Sequence, residues 1–529
     1  MGLFPVLDDT TPSGPVRPEP VEGRTKRAAN CGFGGGCGGA ASLVSGPAGA
    51  GPTLRTNGAT SSTEAPPDLA ALTRNHPCYS EDAHHHFARM HLAVAPACNI
   101  QCHYCNRKFD CANESRPGVV SAKLTPAQAI AKVRAVAAEV PELSVIGIAG
   151  PGDALANADA TYETLRGIRE VAPDLTLCLS TNGLALPDHV DRLVEHGVRH
   201  VTVTVNMVDP RVGERIYPWV FWEGRKVGGV EGARILSARQ LEGISLLARR
   251  GVLVKVNAVV IPGVNDLHLA AVVREVRARG AFLVNLLPLI SAPEHGTHFG
   301  LTGQRGPTPA ELERVQRASA IDARLMKHCR QCRADAIGRL GEDRFAEFAT
   351  PAAPPAEVRA SAPPPPARDA AEVREERRAA VERVRALHDE AKVTALRRLQ
   401  ALPAALGARV AVATKGGGTV DQHFGHAREF LVYDVTREGA SLVGVRKVEA
   451  YCQGGDGDDD VLHGVLRTLE GCQAVLVAKV GHCPEGQLAA AGIEPVTDRA
   501  FEPIEAALLG WFEAWALRTG QARPAAEVA

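Results

Sequence analysis

The 529-residue sequence is poor in net charge and in aromatic side chains: its formal charge is −1, and 4% of its residues are aromatic. Without a basic patch or aromatic platforms, the chain is not expected to bind nucleic acid. It contains no run of eighteen apolar residues, and residues 1–5 lack the charged and apolar regions of a secretory signal. These absences predict a cytoplasmic protein that does not bind a membrane.

Cysteine, in contrast, is abundant, with thirteen in the chain. Without a secretory signal, this number indicates metal or redox chemistry rather than disulfides. Three of them, Cys98, Cys102 and Cys105, form a C-x3-C-x2-C motif directly after an apolar stretch that is predicted to be a strand. Such a loop can ligate three irons of a [4Fe-4S] cluster and leave the fourth iron open. The alternatives are incidental thiols or zinc, which in structural sites takes four closed ligands.

Composition and periodicity divide the chain into four parts. Residues 1–70 are rich in Gly, Pro and Ser and are predicted to be a disordered tail. Residues 349–405 combine a Pro/Ala-rich linker with a charged helix that is expected to be a solvated connector. Residues 71–348 alternate strands and helices, and residues 406–520 form a second, smaller α/β domain.

Six βα units are predicted in the larger domain, fewer than the eight of a closed barrel. We therefore expect an α/β fold with an open, partial (β/α)6 barrel. Its predicted strands are residues 90–94, 143–149, 175–180, 200–205, 252–261 and 282–289. In parallel barrels the functional residues lie at the C-terminal ends of the strands.

A Gly-Pro-Gly-Asp sequence follows the second predicted strand and contains Gly150, Gly152 and Asp153. Two glycines let the backbone approach a ligand closely, and exposed amides can bind a carboxylate. The same four residues also describe an ordinary turn. The segment is therefore a candidate cofactor-binding loop whose alternative is purely structural.

Further candidate residues lie at the ends of later strands. The third strand ends in Ser180, Thr181 and Asn182, which can hydrogen-bond to a ligand or form a turn. Asn206 and Ile261 lie at two further strand ends. We predict that these residues contribute to the same cofactor site.

More potential metal ligands are present than one cluster needs. A single cysteine is more often a small buried apolar residue, and the C-x2-C pair Cys329/Cys332 is also compatible with zinc or a redox dithiol. Jointly, the additional residues indicate further iron-sulfur clusters if the fold brings them together. They are His76, Cys78, Cys111, Cys178, Cys329 and Cys332.

The C-x3-C-x2-C motif, with Tyr104 before its third cysteine, resembles the signature of the radical S-adenosylmethionine (SAM) enzymes. This resemblance implies that the amino and carboxylate groups of SAM bind the open iron, and that an electron from the cluster cleaves SAM to a 5′-deoxyadenosyl radical. The loop from Gly150 to Asp153 resembles the glycine-rich SAM-binding motif of the same enzymes.

Motifs between residues 76 and 345 resemble, more specifically, the NifB family of nitrogenase cofactor maturases. They are His76-Pro-Cys78, the segment from Ala95 to Arg107, the segment from Cys111 to Gly118, and Cys329-Arg-Gln-Cys332 with the residues that follow it. The resemblance implies that two substrate [4Fe-4S] clusters are fused with a SAM-derived carbon and an added sulfide. The product is the [8Fe-9S-C] precursor called NifB-co.

The same resemblance implies roles for particular residues. The six additional ligands above would hold the two substrate clusters. Glu114 and Arg116 would lie near SAM or a cluster, as a polar partner and a carboxylate clamp, unless they only stabilise a turn. The implied partners are SAM, iron-sulfur cluster donor proteins, and carrier or scaffold proteins that receive NifB-co.

The C-terminal domain resembles the NifX/NafY-type domains, which have a ribonuclease H-like fold and bind cofactor precursors. The resemblance lies in the segments from Asp421 to Phe430 and from Tyr451 to Gly455. His423, His426 or Cys452 could carry or pass on a cluster, and the alternative is that they are polar loop residues.

Two other functions remain open at this point. A cluster carrier or scaffold would need no SAM. A radical SAM enzyme that modifies a peptide or RNA could carry auxiliary clusters at Cys329/Cys332, but the chain lacks the basic patch and aromatic platforms expected of a nucleic-acid-binding module.

Overall fold

The computed structural model describes residues 69–106, 119–348, 369–451 and 459–519. These residues belong to one compact unit. The predicted N-terminal tail, residues 1–70, lies outside the described residues except for residues 69–70, which begin a helix. Most of the Pro/Ala-rich linker and four predicted site residues also lie outside them. Those four are Cys111, Glu114, Arg116 and Cys452.

A half-barrel of parallel strands forms the first part of the described chain. The strands of this part of the chain are β1 (Ala88–Leu92), β2 (Ile100–Gln101), β3 (Leu143–Ile148), β4 (Thr176–Thr181), β5 (Val198–Thr204), β6 (Trp219–Trp222), β7 (Arg225–Val227), β8 (Leu253–Val260), β9 (Leu283–Pro288) and β10 (Ile337–Gly338). The main sheet has the order β10-β1-β3-β4-β5-β8-β9. All its neighbours are parallel except β10, which runs antiparallel to β1. Strands β2, β6 and β7 form a small separate sheet.

The six predicted strands of the barrel are confirmed, with ends displaced by at most two residues. Every residue of β3 is buried, as expected for a parallel strand covered on both faces. The small β2-β6-β7 sheet and strand β10 were not predicted. Their strands contain two to four residues, too few to show a period.

Helices cover the outside of the half-barrel. They are α1 (Leu69–Arg74), α2 (Ala83–His86), α3 (Pro126–Glu139), α4 (Ala158–Val171), α5 (Val190–Glu195), α6 (Pro210–Gly213), α7 (Gly229–Arg249), α8 (Leu269–Ala278), α9 (His298–Leu301) and α10 (Pro309–Ala320). Thr125 caps α3, Pro126 is its first residue, and Gln128 completes a capping box, so the predicted helix start is confirmed. No described helix is long and apolar enough to span a bilayer.

Helix α11 (Ala370–Leu399) connects the two domains. Its helical conformation was predicted, but the expectation that it is a solvated connector is wrong for one of its faces. Arg374 is buried and donates hydrogen bonds to both carboxylate oxygens of Asp174, at 2.8 and 2.6 Å, and to the Ala137 carbonyl, at 2.7 Å. Val381 packs in a cluster with Ala83 and Phe87. Arginine is normally read as solvent-facing, so the charge pattern did not reveal this packed face.

The C-terminal domain is a mixed sheet with helices. Its elements are β11 (Gly407–Val412), β12 (Glu429–Thr436), β13 (Gly439–Lys447), α12 (Asp459–Thr468), β14 (Ala474–Leu476), α13 (His482–Ala490), β15 (Glu494–Val496) and α14 (Ile504–Arg518). The strand order is β13-β12-β11-β14-β15, with β11, β14 and β15 mutually parallel and the other pairs antiparallel. Helix α14 packs against α11 and the sheet.

Candidate functional site

A cavity of about 290 Å³ lies at the C-terminal ends of the barrel strands. Four segments bring cysteines to its wall: the segment before β1, the loop after β1, strand β4 and the loop after α10. All of these cysteines are partly exposed and free of disulfides. They are Cys78, Cys98, Cys102, Cys105, Cys178, Cys329 and Cys332. Every predicted cysteine ligand within the described residues therefore faces one cavity.

The loop that carries Cys98, Cys102 and Cys105 is held by backbone hydrogen bonds. Strand β2 lies within it and pairs with β6. The Gln101 side chain donates to the carbonyls of Cys102 and Cys105, at 3.0 and 3.1 Å. These contacts keep the three thiols on one short turn that borders the cavity.

Tyr104, which precedes the third cysteine, is anchored behind this loop. The Asn206 amide donates to the hydroxyls of Tyr104 and Tyr217, at 2.9 and 2.8 Å. Burial raises the pKa of the Tyr104 hydroxyl well above its usual range. Asn206 is fully buried, and Ile261 packs in an apolar cluster that includes Ile100. The structure therefore places both predicted cofactor residues behind the cavity wall, where they support the cysteine loop.

Gly152 allows its own backbone to pack closely against the backbone that leads into the cysteine loop. A Cβ atom at this position would lie 2.1 Å from the Ala97 carbonyl oxygen, immediately before Cys98. The backbone N–H of Gly152 donates to Ala95, and that of Asp153 donates to Ala97, each at 2.7 Å. The sequence predicted that this backbone approaches a ligand closely. In the structure it instead lies close to the backbone of the cysteine loop.

Asp153 joins two strand-end loops. Its carboxylate accepts hydrogen bonds from the Leu155 N–H at 2.9 Å, the Thr181 hydroxyl at 3.0 Å, and the Asn182 N–H. Burial raises the pKa of Asp153 and these hydrogen bonds oppose the shift. Asp153 borders the cavity together with Ser180, Thr181 and Asn182. The Asn182 amide donates to Asn99 Oδ1 at 2.7 Å and toward Cys98 Sγ at 3.7 Å, so it orients the first cysteine.

We expect Gly152→Ala to lower SAM cleavage by about tenfold to a hundredfold, since an added methyl group must displace the backbone that leads into Cys98. The measurement is 5′-deoxyadenosine formation with a saturating reductant. Gly486→Ala is the matched control, because a Cβ there meets no atom within 4 Å. Equal activity of the two variants would contradict this role of Gly152.

The other four cysteines border a second part of the cavity, and His76 is buried behind them, next to Cys78. His76 Nδ1 accepts a hydrogen bond from the Cys78 N–H at 3.1 Å, while its buried Nε2 has no partner among the described residues. Burial lowers the pKa of His76 far below its usual value, so the imidazole is neutral and able to ligate a metal. The Arg89 guanidinium donates to Cys332 Sγ at 3.3 Å.

The donor set fits iron-sulfur clusters. It consists of thiols and a neutral imidazole, which are ligands that such clusters accept. In the described part of the chain, no three His, Cys, Asp or Glu side chains converge as they would around a single ion. Cluster ligands are instead spread around a cube of iron and sulfide.

Lys255 is a cavity residue that the sequence analysis missed. It lies on β8, is 8% exposed, and faces Cys78, Cys178, Cys329 and Cys332. Burial lowers the pKa of Lys255, but the negative charge that these four cysteines carry as thiolates outweighs burial and raises it. A lysine within the apolar run of a buried strand was a signal that could have identified it.

The C-terminal domain contacts the loop of the cysteine pair. Arg330, between Cys329 and Cys332, forms an ion pair with Glu429 of β12, with Nε and Oε1 2.8 Å apart. Lys447 of β13 donates to the Arg330 carbonyl at 3.4 Å. The predicted carrier residues His423 and His426 lie on another loop, with ring centroids 4.8 Å apart, and do not border the cavity.

Comparison with known proteins agrees with this two-domain arrangement. The Radical SAM superfamily matches residues 92–276, and the family described as dinitrogenase iron-molybdenum cofactor matches residues 407–514. The superfamily match supports binding of SAM and a [4Fe-4S] cluster. A structure of Streptococcus suis SuiB bound to S-adenosylmethionine has a TM-score of 0.34 and 14% identity over 46% of this chain and 52% of that one, too low to support an inference.

Full-length relatives are much closer. The FeMo cofactor biosynthesis protein NifB of Bradyrhizobium diazoefficiens is 54% identical over 450 residues, which cover 85% of this chain and 88% of the relative. The protein of the same name from Rhodobacter capsulatus is 55% identical over 447 residues, covering 84% and 97%. With this identity over most of both chains, and with a cysteine-lined radical SAM cavity, the chain belongs to the NifB family of radical SAM enzymes in FeMo cofactor biosynthesis.

Proposed function

We propose that this enzyme fuses two [4Fe-4S] clusters with a SAM-derived carbide and an extra sulfide into the [8Fe-9S-C] precursor NifB-co. The observation that carries the proposal is the single cavity bordered by seven cysteines from four segments of the chain. One SAM-binding cluster needs three of them. Four thiols and His76 are then available for substrate.

Cys98, Cys102 and Cys105 would hold the SAM-binding cluster. When bound, this group supplies the electron for reductive cleavage of SAM. Ser180, Thr181 and Asn182 border the cavity beside these cysteines, so they are positioned to bind SAM by hydrogen bonds. Gly150, Gly152 and Asp153 would act by holding the cysteine loop in place.

The substrate clusters would be bound by Cys78, Cys178, Cys329, Cys332 and His76. Burial raises the pKa of Cys78, and it raises the pKa of Cys178 to about 12. In metal-free protein these two thiols are therefore protonated, and cluster binding must release their protons. Cys111, Glu114 and Arg116 belong to this proposal on the resemblance alone.

Apolar side chains form part of the cavity wall. Leu289, Met326 and Leu340 border it and are buried. A wall of this kind protects a reactive intermediate from side reactions. The chain's contribution is thus to gather the clusters, orient SAM and exclude solvent, while the cofactors carry out the difficult chemistry.

The proposed division of the chain follows its two family matches. Residues 71–348 would be the cluster-fusing domain, and residues 406–520 would bind the product. Cluster donor proteins would load the cavity, carrier or scaffold proteins would receive NifB-co, and the reaction would take place in the cytoplasm. The enzyme would act as a lyase or transferase.

The double substitution Cys329→Ala/Cys332→Ala tests the proposal. Under anaerobic reconstitution the wild-type chain should bind about twelve irons, from three clusters of four. The double variant should lose iron and retain SAM cleavage, because its cysteine loop for the SAM cluster is intact. Iron analysis, EPR with and without SAM, and 5′-deoxyadenosine formation are the measurements.

Cys483→Ala, at an exposed position on α13, is the matched control and should bind as much iron as wild type. About four irons in every variant would leave an ordinary radical SAM enzyme and would overturn the proposal. Absence of SAM cleavage in loaded wild-type protein would favour a cluster carrier instead.

A further inference from the structure

Lys255 carries a buried charge for which the described part of the chain supplies no counter-ion. Its ammonium borders the cavity, and among the described residues it makes no hydrogen bond or ion pair. Its nearest aromatic contact is the Tyr79 ring, whose centroid is 5.8 Å from Nζ. The side chain is 8% exposed.

The groups beside Lys255 on the cavity wall are cysteine sulfurs. Cys78, Cys178, Cys329 and Cys332 border the same cavity and interact electrostatically with its ammonium. Cysteine ligates a metal as the negatively charged thiolate. A cluster bound by these four residues therefore brings negative charge next to Lys255.

The other cations near the cavity have at least one polar partner within the described residues. Arg330 is paired with Glu429, and Arg333 is paired with Asp335 at 3.0 Å. Arg89 donates to the backbone carbonyls of Arg339 and Glu342, at 3.1 and 3.3 Å. Of these described cations, only Lys255 both borders the cavity and lacks a hydrogen-bond or ion-pair partner.

A lone buried ammonium destabilises a fold. Lys255 lies in the middle of β8 between Val254 and Val256, where its register partners are Thr202 on β5 and Leu283 on β9. An apolar residue would suit this buried strand better. Folding alone therefore does not require a charged residue at position 255.

We propose that Lys255 is the counter-charge for the anionic substrate clusters, which makes the half of the cavity bordered by Cys78, Cys178, Cys329 and Cys332 an anion-binding subsite. This inference rests on the proposed function, since it names the group that compensates the charge of that function's substrates. A thiolate-ligated [4Fe-4S] cluster is an anion. A positive charge beside it favours both its binding and its reduction.

Lys255→Met tests the inference in the full-length chain. Metal-free Lys255→Met should melt at a higher temperature than wild type, because a lone buried charge has been removed. After reconstitution it should bind fewer irons than wild type. The substrate clusters, which are recognised by EPR signals that do not respond to SAM, should have a more negative midpoint potential in Lys255→Met than in wild type. A residue with a merely structural role would lower the melting temperature instead.

Two variants complete the experiment. Lys255→Arg keeps the charge and should restore iron content and potential toward wild type. Lys132→Met removes a lysine on α3 that does not border the cavity. It should change neither the iron content nor the midpoint potential. If wild type binds about twelve irons and Lys255→Met has the same iron content and midpoint potential, the inference about Lys255 is wrong and the proposed function still stands. If wild type binds only about four irons, both the inference and the proposed function are wrong.

Discussion

Replacement of Cys102 by alanine should reduce SAM cleavage to the background level. Cys102 is the central thiol of the loop that borders the cavity, and the loop's geometry is fixed by β2–β6 pairing. Two remaining thiols cannot hold the cluster that keeps one iron open for SAM. The measurement is 5′-deoxyadenosine formation by the anaerobically reconstituted variant.

The control for this prediction is Cys483→Ala, which removes an exposed thiol from the other domain. It should cleave SAM at the wild-type rate. Substantial cleavage by Cys102→Ala would show that another residue completes the ligand set, and the assignment of the three loop cysteines would have to be revised.

Arg333→Met should cause the largest loss of stability. Arg333 is 1% exposed, and its guanidinium forms an ion pair with buried Asp335 at 3.0 Å and donates to Ser121 Oγ at 2.6 Å. Removal of one partner leaves an uncompensated buried carboxylate, which costs about 3–5 kcal/mol in the free energy of unfolding. The melting temperature of the metal-free protein should fall by about 10 °C.

Two further variants separate the buried charge from lost packing. Arg344→Met removes a surface arginine whose partner is the exposed Glu347, and it should leave the melting temperature almost unchanged. Arg333→Met/Asp335→Leu removes both buried charges and should recover part of the loss. Failure to recover any of it would assign the effect to packing, including the Phe345 ring that lies 4.3 Å from the guanidinium.

The parallel strands were predictable from sequence because burial on both faces leaves continuous apolar runs. Strand β3 is nearly such a run, with Ser144 as its one polar residue, and the start of α3 carries the complete signal of Thr125, Pro126 and Gln128. Strand β10 and the small β2-β6-β7 sheet were not predictable in this way. They depend on pairing between distant segments, and their few residues carry no pattern of their own.

The candidate site was predictable in its residue types but not in its arrangement. Spacing identified Cys98, Cys102 and Cys105, whereas only the topology shows that Cys78 and Cys178 border the same cavity. Position at a strand end could not distinguish a residue on the cavity wall from one behind it. Asn206 illustrates the limit, because its amide nitrogen donates hydrogen bonds to two tyrosine hydroxyls.

Strand β1 acquires its antiparallel neighbour only from Ile337–Gly338, near the end of the larger domain. A ribosome releases the N-terminal strands first, so Cys98, Cys102 and Cys105 emerge long before Cys329 and Cys332 are synthesised. The half of the cavity bordered by Cys329 and Cys332 is therefore completed last during biosynthesis. A nascent or prematurely terminated chain that ends before residue 329 has the three loop cysteines but lacks this half of the cavity, so the complete cavity exists only once the larger domain has been translated.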